Sequence, residues 1–207
     1  METHWLAWAK RLHGIATTGL HYGADEFDRE RYREVADIAE AMLACLGTVP
    51  IEQIQNLVGE ATSGYATPKV EVRGAVFDGD RILLVREKSD GRWTLPGGFA
   101  DVGHSAAENV AKEIWEEAGI RTTATRLYSL RHKARHDYDP DIRDFYKLFF
   151  LCERTGDESP APGPEVTDVS YFSLDNLPSL STSRVLERDL RTAFDFHCGR
   201  EVRTLFD

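Results

Sequence analysis

Residues 95–120 read Leu95-Pro-Gly-Gly-Phe-Ala-Asp-Val-Gly-His-Ser-Ala-Ala-Glu-Asn-Val-Ala-Lys-Glu-Ile-Trp-Glu-Glu-Ala-Gly-Ile120, one loop–helix–loop unit. The Gly97-Gly98 pair, with Gly103 beyond it, demands a loop in which backbone closely approaches another group. Ser105 and Glu108 stand at capping-box spacing, which starts a helix, and Gly119 is placed to end it. At about 100° per residue, Glu117 lies near +40° and Glu116 near −60° of Glu113, so three carboxylates share an arc of about 100°. Ala107, Val110, Ala111, Ile114 and Ala118 form the expected buried stripe beside them. Lys112, four residues from both Glu108 and Glu116, offsets part of the acids' repulsion.

Three such carboxylates at the edge of a buried face repel one another unless a cation is present. Hard oxygen donors suit Mg²⁺ or Mn²⁺, which in turn grip phosphate oxygens. A Glu-Glu pair on a helix is more often a solvated acidic face; the glycine-rich loop directly upstream favours a site.

The elements around this unit set its context. Val70–Phe77 and Arg81–Val85 are strand-like and separated by Asp78-Gly79-Asp80, a hairpin turn. Arg126–His132, Phe145–Cys152 and Val169–Phe172 are further strands, Thr155–Pro164 is an exposed loop, and Arg184–His197 is a closing helix. Strands on both sides of one helix, with a helical ending, predict a mixed α/β sandwich. Upstream the period is helical. Trp5, Trp8, Leu12, Ile15 and Ala16 share one amphipathic face; Phe27, Tyr32, Val35, Ile38, Ala39 and Met42 stripe a second helix; Ile51, Ile54, Leu57 and Val58 mark a short third one. The expected organisation is a helical domain over 1–62, a linker over 63–69 and an α/β domain over 70–207.

The 95–120 stretch resembles the Nudix box. Gly98 opens it, Lys112-Glu113-Ile114-Trp115-Glu116-Glu117-Ala118-Gly119-Ile120 closes it, and Trp93-Thr-Leu-Pro-Gly-Gly98 leads into it. Two positions depart from the family pattern: His104 stands where the family has Glu, and Lys112 where it has Arg. In the family those two residues pair to brace the loop on the helix, and a neutral His with a Lys makes no such ion pair. The resemblance implies an α/β/α Nudix sandwich that hydrolyses a nucleoside diphosphate linked to another moiety, with Mg²⁺ or Mn²⁺. It implies Glu113, Glu116 and Glu117 as metal ligands, joined by a carbonyl of the Gly97-Gly98 loop, here assigned to Gly98. Glu117 or Glu165 is the expected general base. The helical segment, with Thr18-Gly-Leu-His-Tyr22 and Tyr65-Ala-Thr-Pro-Lys-Val70, is similar to that of Nudix enzymes acting on CDP-choline or ADP-ribose. The rival expectations are a nucleotide sensor with little catalysis, and hydrolysis of a triphosphate or an RNA end.

Other residues enter as ligand contacts. Arg126–His136 carries four basic residues, two His and no acid, so Arg131 and Arg135 are candidates for phosphate, Arg being suited to bidentate contact. Trp93 and Phe99, which flank the glycine pair, are candidates to stack on a base, and Tyr22 and Tyr65 to reach a ligand if the N-terminal helices fold over the active site or a partner subunit's, against packing as the commoner fate of an aromatic ring. Composition excludes other classes. The 207 residues carry 25 Lys and Arg against 35 Asp and Glu, a net charge of −10, and a pI near 5.2, which argues against duplex nucleic acid and anionic membranes. Neither a membrane span nor a secretory leader is legible. Cys45, Cys152 and Cys198 lack CxxC spacing, which fits a reducing cytoplasm, with Cys45 and Cys152 as core thiols. Three short helices bury little between them, which predicts a homodimer.

Overall fold

The computed structural model describes residues 3–47, 50–58, 65–201 and 203–207. The chain forms two compact units: residues 1–69 with 140–144, and residues 70–139 with 145–207. Part of the expected linker, residues 63 and 64, lies outside the described residues.

The first unit is helical, with α1 (His4–Tyr22), α2 (Glu26–Gly47) and α3 (Ile51–Val58). Thr3 caps α1, its hydroxyl oxygen accepting from the Leu6 N–H at 3.4 Å. Leu6, Ala9, Leu43 and Ile54 form the small core, with Ile142 packed against it. His13 and Glu40 are buried between the helices, Nε2 to Oε1 3.4 Å. Lys10 fastens the 140–144 segment, reaching the Asp144 carboxylate at 2.5 Å and the Asp141 and Arg143 carbonyls. The periodicity gives the right helices, but the inward face differs from the expected one. Ala16 is buried, whereas Trp5 is 61% exposed, Trp8 52%, Leu12 38% and Ile15 53%; Phe27 and Ile38 of α2 are exposed as well. The small residues Ala9, Ala16, Ala36 and Ala39 allow close helix approach, so they take the interior and the large apolar groups are displaced outward. Cys45 is exposed too, so only Cys152 is a core thiol.

The second unit is an α/β sandwich. One sheet orders β1 (Lys69–Ala75), β6 (Phe145–Arg154), β5 (Thr122–His132) and β8 (Leu205–Phe206). The other is built on β3 (Arg81–Glu87), which pairs with β2 (Phe77–Asp78), β4 (Trp93–Thr94) and β7 (Val166–Ser173). The stretch expected as one strand over 70–77 breaks at Val76, and its halves enter different sheets. Alternation along the strands feeds two cores. Val72, Val76, Leu83 and Val85 meet Val110, Ile114 and Ala118 of α4 (Ala106–Ala118). Ala75, Ile82 and Leu84 meet Leu190, Ala193 and Phe196 of α5 (Glu187–His197). Because β3 is covered on both faces, Ile82-Leu-Leu-Val85 reads as an unbroken apolar run rather than an alternating one. Among the described residues, no helix is long and apolar enough to cross a membrane.

Candidate active site

Helix α4 starts and stops where its sequence dictates. The Ser105 hydroxyl accepts from the Glu108 N–H at 3.2 Å, the Glu108 carboxylate accepts from the Ser105 N–H at 2.7 Å, and Gly119 closes the helix in left-handed backbone. Its buried face is Asn109, Val110, Ile114, Glu117 and Ala118, whereas Ala107, expected inside, is exposed. The loop before it lies along the edge of β1: the Val72 N–H donates to Gly98 O, Gly74 to Pro96 O, and Ala100 to Val70 O. This close approach explains the glycine pair. Gly97 has φ +148°, and a Cβ there would stand 2.1 Å from Val72 O and 2.9 Å from the Arg73 Cα. A Cβ on Gly98 would stand 2.8 Å from Glu113 Oε1. The bare backbone is what lets the carboxylate lie against the loop.

Loop and helix thus set two of the predicted acids, Glu113 and Glu117, against the glycine backbone. Glu117 is buried and its Oε2 accepts from the Gly97 N–H at 2.9 Å. Burial pushes its carboxyl up to about 7, the charges of Glu87 and Glu113 adding to the effect, while Arg73 and the Gly97 N–H oppose it. Glu113, half-buried, is also raised, by burial first and then by Glu116 and Glu165, against Lys112 and Arg73. Glu116 is exposed and paired with Lys112, Nζ to Oε2 3.1 Å. Glu165 is exposed just before β7, and its charge bears on Glu113. The loop that carries it docks on the end of α4 through Ala161 N–H to Ala118 O and Gly163 N–H to Glu117 O.

A hard divalent cation fits the chemistry of this donor set: all oxygen, two of its carboxyls held above their ordinary range by burial first and by neighbouring acids second, and beside backbone that a side chain would block. Among the described residues, no three His, Cys, Asp or Glu side chains are already gathered closely enough to hold an ion. Glu117 is turned to Gly97 and Glu116 to Lys112.

Several residues beside the acids escaped the sequence reading. Arg73, 4% exposed, donates from Nε to Glu71 Oε1 at 2.7 Å and from its NH1 nitrogen to Leu95 O at 2.9 Å. Lys147, fully buried, reaches the same Glu71 oxygen at 2.7 Å. Burial would raise Glu71, but Lys147 and Arg73 overcome it and hold the carboxyl at about 2; burial lowers Lys147 to about 8 against the pull of Glu71. Glu87 at the end of β3 is held by Arg184, 3.0 Å away. The available signal was charge inside apolar strands: Glu71 and Arg73 lie two apart on one face of β1, and Lys147 interrupts Phe145-Tyr-Lys-Leu-Phe-Phe150.

The predicted ligand contacts have different surroundings. Phe99 is 48% exposed and stacks on Phe145, centroids 5.8 Å apart and planes 11° from parallel. Trp93 packs edge-on against Phe172. Arg135 is exposed. Arg131 does not project freely from the basic segment: its NH1 nitrogen faces the Asp207 carboxylate at 3.4 Å, which also meets His136 and the His132 N–H at 2.6 Å. Lys133 of the same segment is buried, its ammonium 5.0 Å from the centre of the Phe145 ring. Tyr22 belongs to the helical unit, 69% exposed and edge-on to His21.

Sandwich, glycine loop and acidic helix together define a protein class, and comparison with known proteins bears it out. Residues 67–191 match the NUDIX domain model, and the chain belongs to the Nudix family of hydrolases. Residues 3–58 match a second model, the UDP-X-like N-terminal oligomerisation domain. A Bacillus subtilis (strain 168) protein named "Putative ADP-ribose pyrophosphatase YjhB" is 42% identical over all of this chain and 99% of its own length. A crystal structure of a UDP-X diphosphatase matches 98% of both chains, with 30% identity and a TM-score of 0.64. That of an ADP-ribose pyrophosphatase from Streptococcus suis covers 68% of this chain and all of its own, with 37% identity and a TM-score of 0.62.

Proposed function

We propose that this Nudix hydrolase splits a nucleoside diphosphate linked to another moiety, with ADP-ribose and CDP-choline as the first substrates to test. The observation that carries this reading is the carboxylate set of α4 folded against the Gly97-Gly98 loop, with Glu117 on the Gly97 N–H and Glu113 against Gly98. The full-length likeness to the B. subtilis relative and to the UDP-X diphosphatase supports the substrate class. Glu113, Glu116 and Glu117, with the Gly98 carbonyl, would hold Mg²⁺ or Mn²⁺, which supplies charge neutralisation at the diphosphate and acidifies a water. The protein's own part is positional and proton-handling. Water adds to one phosphorus, the bridging P–O bond breaks, and the proton lost by the water goes to Glu117 or Glu165. A nucleoside monophosphate and a phosphorylated remnant leave. Phe99 offers an exposed ring beside the loop for a base, and Arg135 is a further candidate contact. Retention of all three acids favours catalysis over a sensor, since a silent pocket has no use for a self-repelling set.

A panel of nucleoside diphosphate derivatives and nucleoside triphosphates, each with Mg²⁺ and Mn²⁺ and read by product identity, tests the proposal. Monophosphate plus phosphorylated moiety is the expected outcome; release of pyrophosphate from triphosphates alone would overturn it.

We also infer a homodimer built through the helical unit. Trp5, Ile38, Ala41, Met42, Cys45 and Leu46 line an apolar groove of about 430 Å³, and Trp8, Leu12 and Ile15 extend the exposed apolar surface of α1. A contiguous surface of this kind marks an interface, and the matched model describes an oligomerisation domain. Light scattering is expected to give twice the 23.4 kDa of one chain, and Trp8→Glu with Ile38→Glu is expected to shift it to one. A single-chain mass for the unmodified protein would refute the inference.

A further inference from the structure

The loop ahead of α4 is held by groups other than the pair at positions 104 and 112. His104 is exposed and does not meet Lys112, whose ammonium lies 3.1 Å from Asp101 Oδ2 and 3.1 Å from Glu116 Oε2. Asn109, one turn before Lys112 on the same helix, is 1% exposed and spends its whole amide on this loop. Its Oδ1 accepts from the Asp101 N–H at 2.9 Å, and its Nδ2 donates to Asp101 O at 3.2 Å, His104 O at 3.4 Å and Ser105 O at 3.2 Å. Asp101 is therefore gripped three times from α4: by its N–H, its carbonyl and its carboxylate. Upstream, the Ala100 N–H donates to Val70 O, so this grip sits immediately after the last bond that ties the loop to β1.

We propose that Asn109, seconded by the Asp101–Lys112 ion pair, is the positioning device that sets the Gly97-Gly98 loop against the acids of α4, and that it does the work which an ion pair between positions 104 and 112 would otherwise do. The two parts are unequal. An ion pair between half-exposed side chains holds weakly in water, whereas truncating the buried Asn109 amide takes a partner from the Asp101 N–H and from the Asp101 and His104 carbonyls at once. Lys112 adds a link of another kind, since it ties Asp101 to Glu116 through one ammonium. The proposal rests on the Nudix reading for its catalytic consequence but not for its structural one.

The test uses the full chain and two readouts. In metal-free protein, Asn109→Ala is expected to speed amide hydrogen exchange across residues 99–104 by about tenfold or more, with the exchange of β3 unchanged. On the substrate found by the panel, kcat is expected to fall about tenfold with KM within about threefold, because the loop positions reacting groups rather than binding the remnant. His104→Glu with Lys112→Arg in the Asn109→Ala background is expected to restore most of both losses by supplying an ion pair at the other position. Should Asn109→Ala fail to fold, Asn109→Asp, which keeps the acceptor and removes the donors, replaces it. Unchanged loop exchange, or losses that the added pair does not recover, would overturn the proposal. Absence of turnover in the unmodified protein would remove the functional reading instead, and the exchange measurement would still decide the brace.

Discussion

Glu117→Gln is expected to lower turnover on the order of 10³-fold, and Glu113→Gln by a similar factor, while both proteins stay folded. Gln keeps the shape of the side chain and an oxygen that accepts from the Gly97 N–H, so the loop contact at 2.9 Å survives. What is lost is the negative charge that would hold a divalent cation. Burial already presses Glu117 toward its neutral form, so removing the charge without a metal costs the fold little, and melting of the metal-free variant should match or exceed that of the parent. Calorimetry is expected to show weakened Mg²⁺ or Mn²⁺ uptake in parallel with the rate. Glu165→Gln separates the two candidate bases: a loss of about 10²-fold or more with metal uptake intact assigns the proton to Glu165, and a near-parental rate assigns it to Glu117. Full turnover in Glu113→Gln and Glu117→Gln would refute the carboxylate assignment.

Glu71→Gln is expected to be the most destabilising of the conservative changes, by about 3–5 kcal/mol, because it leaves Arg73 and Lys147 buried without the carboxylate they share. For a chain of this size that corresponds to a fall in melting temperature on the order of 10 °C. The double change Glu71→Gln with Lys147→Met is expected to recover part of the loss, since the ammonium that Glu71 held is then gone. The pH dependence has a definite sign. With the Glu71 carboxyl depressed to about 2 in the folded protein, its contribution is present above the ordinary carboxyl pKa of about 4.5 and is lost as pH falls from there toward 2. Acid melting of the parent should therefore steepen over that window, and Glu71→Gln should lack the effect. Equal melting temperatures for parent and single variant at pH 7 would refute the account.

These predictions fall on two kinds of residue, and the difference explains what was legible. The candidate catalytic unit is local. Cap, helix, stop and the acid spacing lie within residues 98–120, so 3.6-residue geometry alone puts Glu113, Glu116 and Glu117 on one side of the helix. The strand pattern likewise gives the α/β class, because apolar alternation and hairpin chemistry are short-range. The helical unit shows where such reasoning stops. Periodicity locates α1 and α2, but two faces of α1 are apolar, and packing chose the one with small residues, leaving Trp5 and Trp8 outside.

Nothing in local spacing pairs Glu71 with Lys147, residues 76 apart in sequence, or shows that Asp207 answers Arg131 and His136. Such charges meet only when strands from distant parts of the chain are set side by side. The family, the acidic helix and the glycine loop are legible without coordinates, since each is written within a few turns of backbone. Packing sets which acid is buried, which cations stand near it and what holds the loop. Those properties depend on neighbours that chain separation hides and on desolvation that only a packed interior imposes.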